Sequence, residues 1–211
     1  MKKTNIMNCV KIFAVAAIAT AVITSSTFAQ GGDAPFVKGS KTLGLGLGIG
    51  VNYGYGNIYN DGTSVPLPTF MLTYDQGFFE DVGPGTIGIG GVIGFKTTHY
   101  DYDHYYYGYG TAKYRHTYTN YIVAVRGTYH LTILKDKNNK FDPYAGITLG
   151  VRIFHHAYND PYSTYDYNYN PVYPVTGAFI GAKYNVAEHF GFWAELGYDY
   201  TNARIGINFN F

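Results

Sequence analysis

Residues 191–211 read GFWAELGYDYTNARIGINFNF. Phe192, Ala194, Leu196, Tyr198 and Tyr200 share one parity, and Trp193, Glu195, Gly197 and Asp199 share the other. Beyond Thr201, Asn202 and Ala203, the residues Ile205, Ile207, Phe209 and Phe211 alternate with Arg204, Gly206, Asn208 and Asn210. A two-residue period over two arms, with a short polar turn between them, predicts a β-hairpin. One face is continuously apolar, the other is polar or glycine, and the last residue is an aromatic on the apolar face. Such a hairpin suits a wall strand that turns its apolar side to lipid and closes a barrel.

Working outward, six more segments carry the same period. Leu43, Leu45, Leu47, Ile49 and Val51 alternate with four glycines. A second strand over 67–74 puts Phe70, Leu72 and Tyr74 on one face, with Pro68 at its start or at a bulge. A third has Ile87, Ile89, Gly91, Ile93 and Phe95 outside and Gly88, Gly90, Val92, Gly94 and Lys96 inside. The fourth sets Tyr121, Val123, Val125, Gly127 and Tyr129 against Asn120, Arg126, Thr128 and His130. The fifth sets Ala145, Ile147, Leu149, Val151 and Ile153 against Gly146, Thr148, Gly150 and Arg152, and the sixth Ala178, Ile180, Ala182 and Tyr184 against Gly177, Phe179, Gly181 and Lys183. With the terminal hairpin this makes eight strands of about the 9–11 residues that cross a bilayer at a tilt.

The first 29 residues stand apart. Lys2, Lys3 and Lys11 precede and open an apolar run over 12–23, and Thr27, Phe28 and Ala29 offer a processing site. This predicts a secretory signal peptide over 1–29; a spanning helix would need about 17–25 apolar residues. Cys9 leaves with it, so the exported chain has no cysteine and no disulfide framework. Removing three lysines and no acids takes the net charge from +1 to −2, with no basic patch for nucleic acid. Residues 30–41 read as a periplasmic lead-in and 42–211 as one barrel domain. The 27 glycines and 24 tyrosines disfavour helix and favour strand.

The connections alternate. Residues 52–66, 97–119 and 155–174 read as long polar or Tyr-rich segments, and 75–84, 131–141 and 186–189 as shorter turns. Long loops on one side and short turns on the other mark an up-and-down transmembrane barrel with periplasmic turns and extracellular loops. On this reading Phe95, Tyr121, Tyr198 and Tyr200 line the outer interface, and Tyr74, Tyr129, Tyr184, Phe190 and Phe211 the inner one. Two such belts around an aliphatic band separate a membrane barrel from a soluble one.

Over residues 43–211 this pattern resembles the small eight-stranded outer-membrane barrels of the OmpA/OmpX type. Ile207, Phe209 and Phe211 in the closing strand are similar to the C-terminal signal read by the outer-membrane assembly machinery. The resemblance implies an integral protein of a Gram-negative outer membrane, in contact with membrane lipid and lipopolysaccharide. It implies no catalytic residues.

Candidate chemistry lies in three places. Lys96, Arg126, Arg152, Lys183, Glu195, Asp199 and Arg204 share the inward parity. In a narrow lumen they form a salt-bridge plug, since eight strands enclose room only for side chains; a polar path for a small solute is the alternative. Counted by height, Arg126 and Glu195 match, with Arg152, Asp199 and Arg204 above them, and Trp193 is placed to stack on Arg126. The Tyr-rich segments, with Tyr102, Tyr105, Tyr107 and Tyr109, then Tyr165, Tyr167 and Tyr169, have the composition of adaptable binding surfaces. Their partial alternation predicts that strands three to six continue beyond the membrane as a protruding sheet. The rings serve either an unidentified extracellular ligand or simple cover against lipopolysaccharide sugars.

His99, Asp101, Asp103, His104, His116, His155 and His156 include metal-ligating types, but their spacing matches no metal motif, and they read as solvated loop residues. Lipid acyl transfer or hydrolysis needs a nucleophile beside a base. Past the signal only Ser40, Ser64 and Ser163 are available, and of these Ser163 follows His155 and His156. The expectation is a non-enzymatic barrel without metal or cofactor, structural or adhesion-like through its Tyr-rich segments, with a narrow porin-like pore as the second reading.

Overall fold

The computed structural model describes residues 36–50, 63–106, 110–132, 140–159 and 170–211, with backbone alone at 63–66, 100–106, 110–116 and 158–159. The signal-peptide segment over 1–29 lies outside the described residues. Among the described residues there are nine strands, β1 Lys41–Ile49, β2 Thr63–Pro66, β3 Thr69–Val82, β4 Gly85–Tyr106, β5 Gly110–Leu131, β6 Phe141–Asn159, β7 Val172–Ala187, β8 Phe190–Tyr198 and β9 Ala203–Asn210. All their ladders are antiparallel. Eight of them form a ring in the order β4-β3-β1-β9-β8-β7-β6-β5, closed by the β4–β5 ladder.

The C-terminal hairpin is what lets the first strand find a partner. β9 pairs with β8 on one edge and with β1 on the other, from Thr42↔Asn210 to Ile49↔Ala203. Lys41 and Phe211 finish the seam with reciprocal backbone bonds of 2.9 and 3.2 Å. A closed ring leaves no open strand edge at membrane depth, which hydrocarbon would not tolerate.

The pleat sorts the side chains as the alternation predicts. On β6, Ile147 is 68% exposed and its neighbour Thr148 2%; on β8, Leu196 is 61% exposed and Glu195 3%. Leu47, Ile89, Val125, Ile180 and Ile205 all look outward. Water does not tolerate an apolar band of this extent around a monomer, so this is the surface of a barrel that sits in lipid, with its polar groups enclosed.

Several boundaries differ from the sequence reading. Residues 75–84 are mostly strand, since β3 runs to Val82 with irregularities at Gly77/Phe79 and Phe79/Val82. β4 and β5 are 22 residues each and stay paired to Tyr106↔Gly110, so most of 97–119 is ladder. Residues 63–66, read as loop, form β2, which pairs with Thr98–Asp101 of β4. β2 carries on from β3 along the same edge of β4, and Pro68, with no N–H to give, marks the break between them.

β5–β6 pairing continues to Arg115↔Asn159, but β6–β7 pairing ends at Ile153↔Val172. Among the described residues the paired sheet beyond the ring is thus β2-β4-β5-β6; the segment before β7 adds only the bond from Phe154 N–H to the Pro171 carbonyl at 3.0 Å.

Tyr200 is the clearest correction. Its parity predicts a place on the outer belt, but it is fully buried. Asp199 Oδ1 accepts the backbone N–H groups of Tyr200 at 2.7 Å and Thr201 at 3.3 Å. That side-chain-capped bend ends β8 at Tyr198 and breaks the period. Tyr198, still in register, is 85% exposed.

The lead-in is also more than a tether. Val37 N–H donates to Ser40 Oγ and Ser40 N–H to the Val37 carbonyl, with Gly39 at φ 89° completing a tight hook. The hook is tied to Gly77 by two backbone bonds of 2.9 Å. A Cβ on Gly77 would overlap the Val37 carbonyl, so only glycine admits this approach. The hook seats Phe36 inside the short-turn end of the barrel, 1% exposed and stacked on His130 at 3.7 Å. Phe36→Ala is expected to lower stability by about 3 kcal/mol, read as a shift in the urea midpoint of the barrel in detergent.

Candidate functional site

The lumen is organised around Glu195. Its Oε1 accepts from Arg126 Nη2 at 2.5 Å and from the Tyr144 hydroxyl at 2.6 Å, and its Oε2 accepts from Arg204 Nε. Arg204 Nη1 reaches Asp199 at 2.7 Å and Thr201 at 3.1 Å. Asp199 in turn accepts from Thr148 at 2.8 Å. Arg126 Nε lies 3.1 Å from Asp75 Oδ1, an ion-pair contact off hydrogen-bond geometry, and Lys183 Nζ is 4.0 Å from Asp75 Oδ2.

Three carboxylates thus face three cations, all nearly sealed from solvent. Burying such a set is tolerable only because each charge has an opposite neighbour. The flat sides of the guanidinium groups are covered as well. Arg126 and Arg204 lie 4.4 and 4.8 Å from the Phe179 ring, and Tyr200 covers Arg204 at 4.5 Å.

Of the seven inward charges picked from parity, Arg126, Glu195, Asp199, Arg204 and Lys183 meet here. Lys96 instead donates to the Gly50 carbonyl at 3.3 Å. Arg152 donates to Asn120 at 3.1 Å and covers Tyr173 at 4.6 Å, away from the Asp199 and Arg204 group in which its height placed it.

Trp193 does not serve Arg126, which has Phe179 for a ring. The indole fills a slot whose far side is glycine: a Cβ on Gly44, Gly46 or Gly206 would run into it. Its Nε1 donates to the Ile207 carbonyl at 3.0 Å. Gly44 and Gly46 of β1 thus make room for a large ring from β8, while Gly48 makes room for Thr201 and Met71.

Two participants escaped the sequence reading. The local sequence places Asp75 in a turn, although it continues the inward parity of Met71 and Thr73. Asp142 holds His130 Nδ1 at 2.8 Å in a separate pair at the short-turn end, where Thr128 takes the other ring nitrogen at 3.2 Å. Lys183 lies over both Phe36 and Tyr144 there, at 4.9 and 5.4 Å.

Beyond the ring, Tyr102 and Tyr105 lie in β4, opposite Tyr114 and Thr111 of β5. Tyr107, Tyr109, Tyr165, Tyr167 and Tyr169 lie outside the described residues. His99, His104, His116, His155 and His156 are on strands rather than loops. His99 meets Thr117 at 3.2 Å, and His155 meets Asn170 at 2.6 Å. His156 stacks on Tyr118 at 4.8 Å, and Tyr118 on Phe154 at 6.0 Å. Among the described residues no group of three His, Cys, Asp or Glu side chains could hold a metal. Ser40 Oγ is engaged in the hook, and Ser163 lies outside the described residues.

A closed ring of eight antiparallel strands, apolar outside and charged within, has the fold class of the small outer-membrane barrels. No protein-family model matches the chain, and no curated protein sequence does either. Among solved structures it is similar to the attachment invasion locus protein Ail of Yersinia pestis, crystallised with the heparin analogue sucrose octasulfate, at 14% identity over 83% of this chain and 100% of that one, TM-score 0.48. It is similar to the N-terminal β-barrel domain of Pseudomonas aeruginosa OprF at 12% identity over 82% and 98%, TM-score 0.44. It is also similar to the outer membrane protein OprG of the same organism at 14% identity over 84% and 99%, TM-score 0.45.

Proposed function

We propose that the chain is an integral protein of a Gram-negative outer membrane that works as a surface-contact protein rather than as a conduit. The exposed aliphatic band supports the location, because antiparallel barrels are one of the two ways a backbone can cross hydrocarbon. The single observation that carries the surface role is the β2-β4-β5-β6 sheet. β4 and β5 stay paired for eleven rows past Phe95↔Tyr121, the last outward aromatic pair of the ring, along a stretch crowded with tyrosine. A barrel that served only to span the membrane would have no use for so long a paired extension.

The test is to remove the extension and keep the ring. Thr97 and Thr119 are direct partners, so an Asn-Gly turn between them rejoins β4 to β5 in register. Cells displaying the full chain are expected to gain adhesion to foreign cells or coated surfaces. Cells displaying the shortened, still folded chain are expected to lose it. Equal adhesion by both would sink the surface role.

Against the pore reading stands the buried charge cluster at the waist of the barrel. Arg126, Glu195 and Arg204 are each at most 3% exposed and bridge the interior from β5, β8 and β9. In planar bilayers the chain is expected to show little conductance, and Arg126→Ala with Glu195→Ala to raise it by opening the waist. High conductance of the unaltered chain would favour the pore instead.

A further inference from the structure

One corner of the lumen holds charged groups whose hydrogen-bonding capacity the chain does not use. Asp75 of β3, Arg126 of β5 and Lys183 of β7 meet there, behind Phe36. Asp75 Oδ1, Arg126 Nε and Nη1, and Lys183 Nζ are all buried, and none has a hydrogen-bond partner among the described residues. A buried donor or acceptor left unmade costs about 1–3 kcal/mol, and a charged one costs more. Four such atoms in one place call for a partner that is not a side chain, and ordered water is the usual one.

The distances fit that partner. Lys183 Nζ and Asp75 Oδ2 lie 4.0 Å apart, too far for a direct hydrogen bond. Two hydrogen bonds of about 2.8 Å that meet at one water oxygen span such a gap. Arg126, 3.1 Å from the same carboxylate, flanks it. The Asp75 and Lys183 side chains each keep 4% of their surface open to a water molecule, against 1% for Arg126 and Glu195 beside them.

The corner is closed on both sides. Phe36 covers it from the short-turn end, with its ring flat on His130 and 4.9 Å from Lys183 Nζ, and packed so closely that a Cβ on Gly88 would crowd it. Toward the outer mouth, Val92, Ile122, Ala124 and Val175 form a buried apolar layer whose side chains offer water no partner.

We infer that Asp75, Arg126 and Lys183 form a buried water-binding site, sealed from the short-turn side by Phe36. The water donates to Asp75 and accepts from Lys183, as a carboxylate without donors and an ammonium without acceptors require. The ligand has to be neutral. The three carboxylates and three cations of the lumen already balance, so a bound anion would face Asp75, and a bound cation would face Lys183 and Arg126, with its charge uncompensated. Lys183 thus enters the charge balance through a water rather than by contact, and the wet part of the interior ends at the apolar layer.

The test is a crystal structure of the folded barrel in detergent, at a resolution that orders water and with bromide as the only small anion. Density without a bromide anomalous signal is expected within hydrogen-bond distance of both Lys183 Nζ and Asp75 Oδ2. A bromide peak there would make this an anion site and overturn the inference. So would a direct Lys183–Asp75 hydrogen bond with nothing between them.

Radiolytic hydroxyl-radical labelling, which activates bound water in place, reads the same site in solution. Tyr144 and Phe36, whose rings lie beside Lys183, are expected to be labelled although both are buried. Lys183→Met removes the ammonium and keeps the bulk of the side chain, and it is expected to abolish both the density and this labelling. Labelling indifferent to Lys183→Met would sink the site. Phe36→Ala is expected to raise the labelling of Tyr144 by admitting bulk water, and no rise would show that this ring is not the seal. Gel mobility of the unboiled barrel confirms that each variant is folded. If a variant does not fold, the density in the unaltered chain decides by itself.

Discussion

Glu195→Ala is expected to destabilise the folded barrel by about 3–5 kcal/mol, the largest effect of any single charge substitution in the lumen. Among the described residues, Glu195 is the one carboxylate shared by two guanidinium groups, and it is the acceptor for the Tyr144 hydroxyl. Its removal leaves Arg126 with Asp75 and Arg204 with Asp199, and turns a neutral set of six charges into one with an uncompensated positive charge in a sealed interior. Removing Arg126 as well should relieve part of that cost. The double variant Arg126→Ala with Glu195→Ala is expected to be less destabilised than the sum of the two singles, with a coupling of about 0.5–3 kcal/mol. Urea unfolding in detergent, followed by fluorescence of the chain's single tryptophan, measures all three. Strict additivity would show that the pair contributes nothing as a pair.

Trp193→Ala is expected to cost a similar amount, about 3–5 kcal/mol. The cavity would persist because the slot walls are Gly44, Gly46 and Gly206, which have no side chains to move into it. The converse substitution, Gly46→Ala, overpacks the same slot and is expected to cost about 1–3 kcal/mol. The two changes should partly rescue one another, since the added methyl enters the space that the indole leaves. Gel mobility of the unboiled barrel against urea reads these variants without relying on tryptophan emission. If Gly46→Ala is equally harmful with and without the indole, the ring is not what makes glycine necessary there.

Both predictions depend on pairs that parity alone could not choose. The alternation of Leu47, Ile89, Val125, Ile147 and Leu196 with glycine and polar residues was legible because the pleat is local: each residue's side follows from its immediate neighbours. The same local rule put Arg126, Glu195 and Arg204 inside. It did not show that Arg204 reaches down to Glu195 while Arg152 turns to Asn120 and Tyr173, nor that Phe179 rather than Trp193 covers Arg126. Heights counted along separate strands are offset by the shear of the closed ring, and long side chains then choose among partners on three or four strands.

The local rule also fails where a side chain competes for the backbone. Asp199 takes two backbone N–H groups and turns Tyr200 from the lipid side to the lumen. Ser40 and Gly39 fold the lead-in back and deliver Phe36 to the barrel mouth. In the Tyr-rich stretch the partial alternation predicts that the sheet continues past the membrane, and β4 and β5 do continue, but nothing local says how far. Their neighbours supply a ladder that extends without any apolar face turned to lipid.

What the amino-acid order determined by itself was the number of barrel-wall strands, the side that residues within those strands take and the closing role of the last hairpin. These are properties of a two-residue period and of the turns that interrupt it. What only the tertiary structure decided was which charges meet, which ring covers which cation, how far the sheet runs past the ring, and that Phe36 stoppers one end. Those depend on register between strands far apart in sequence, and register becomes definite only when β4 meets β5 and the ring is closed.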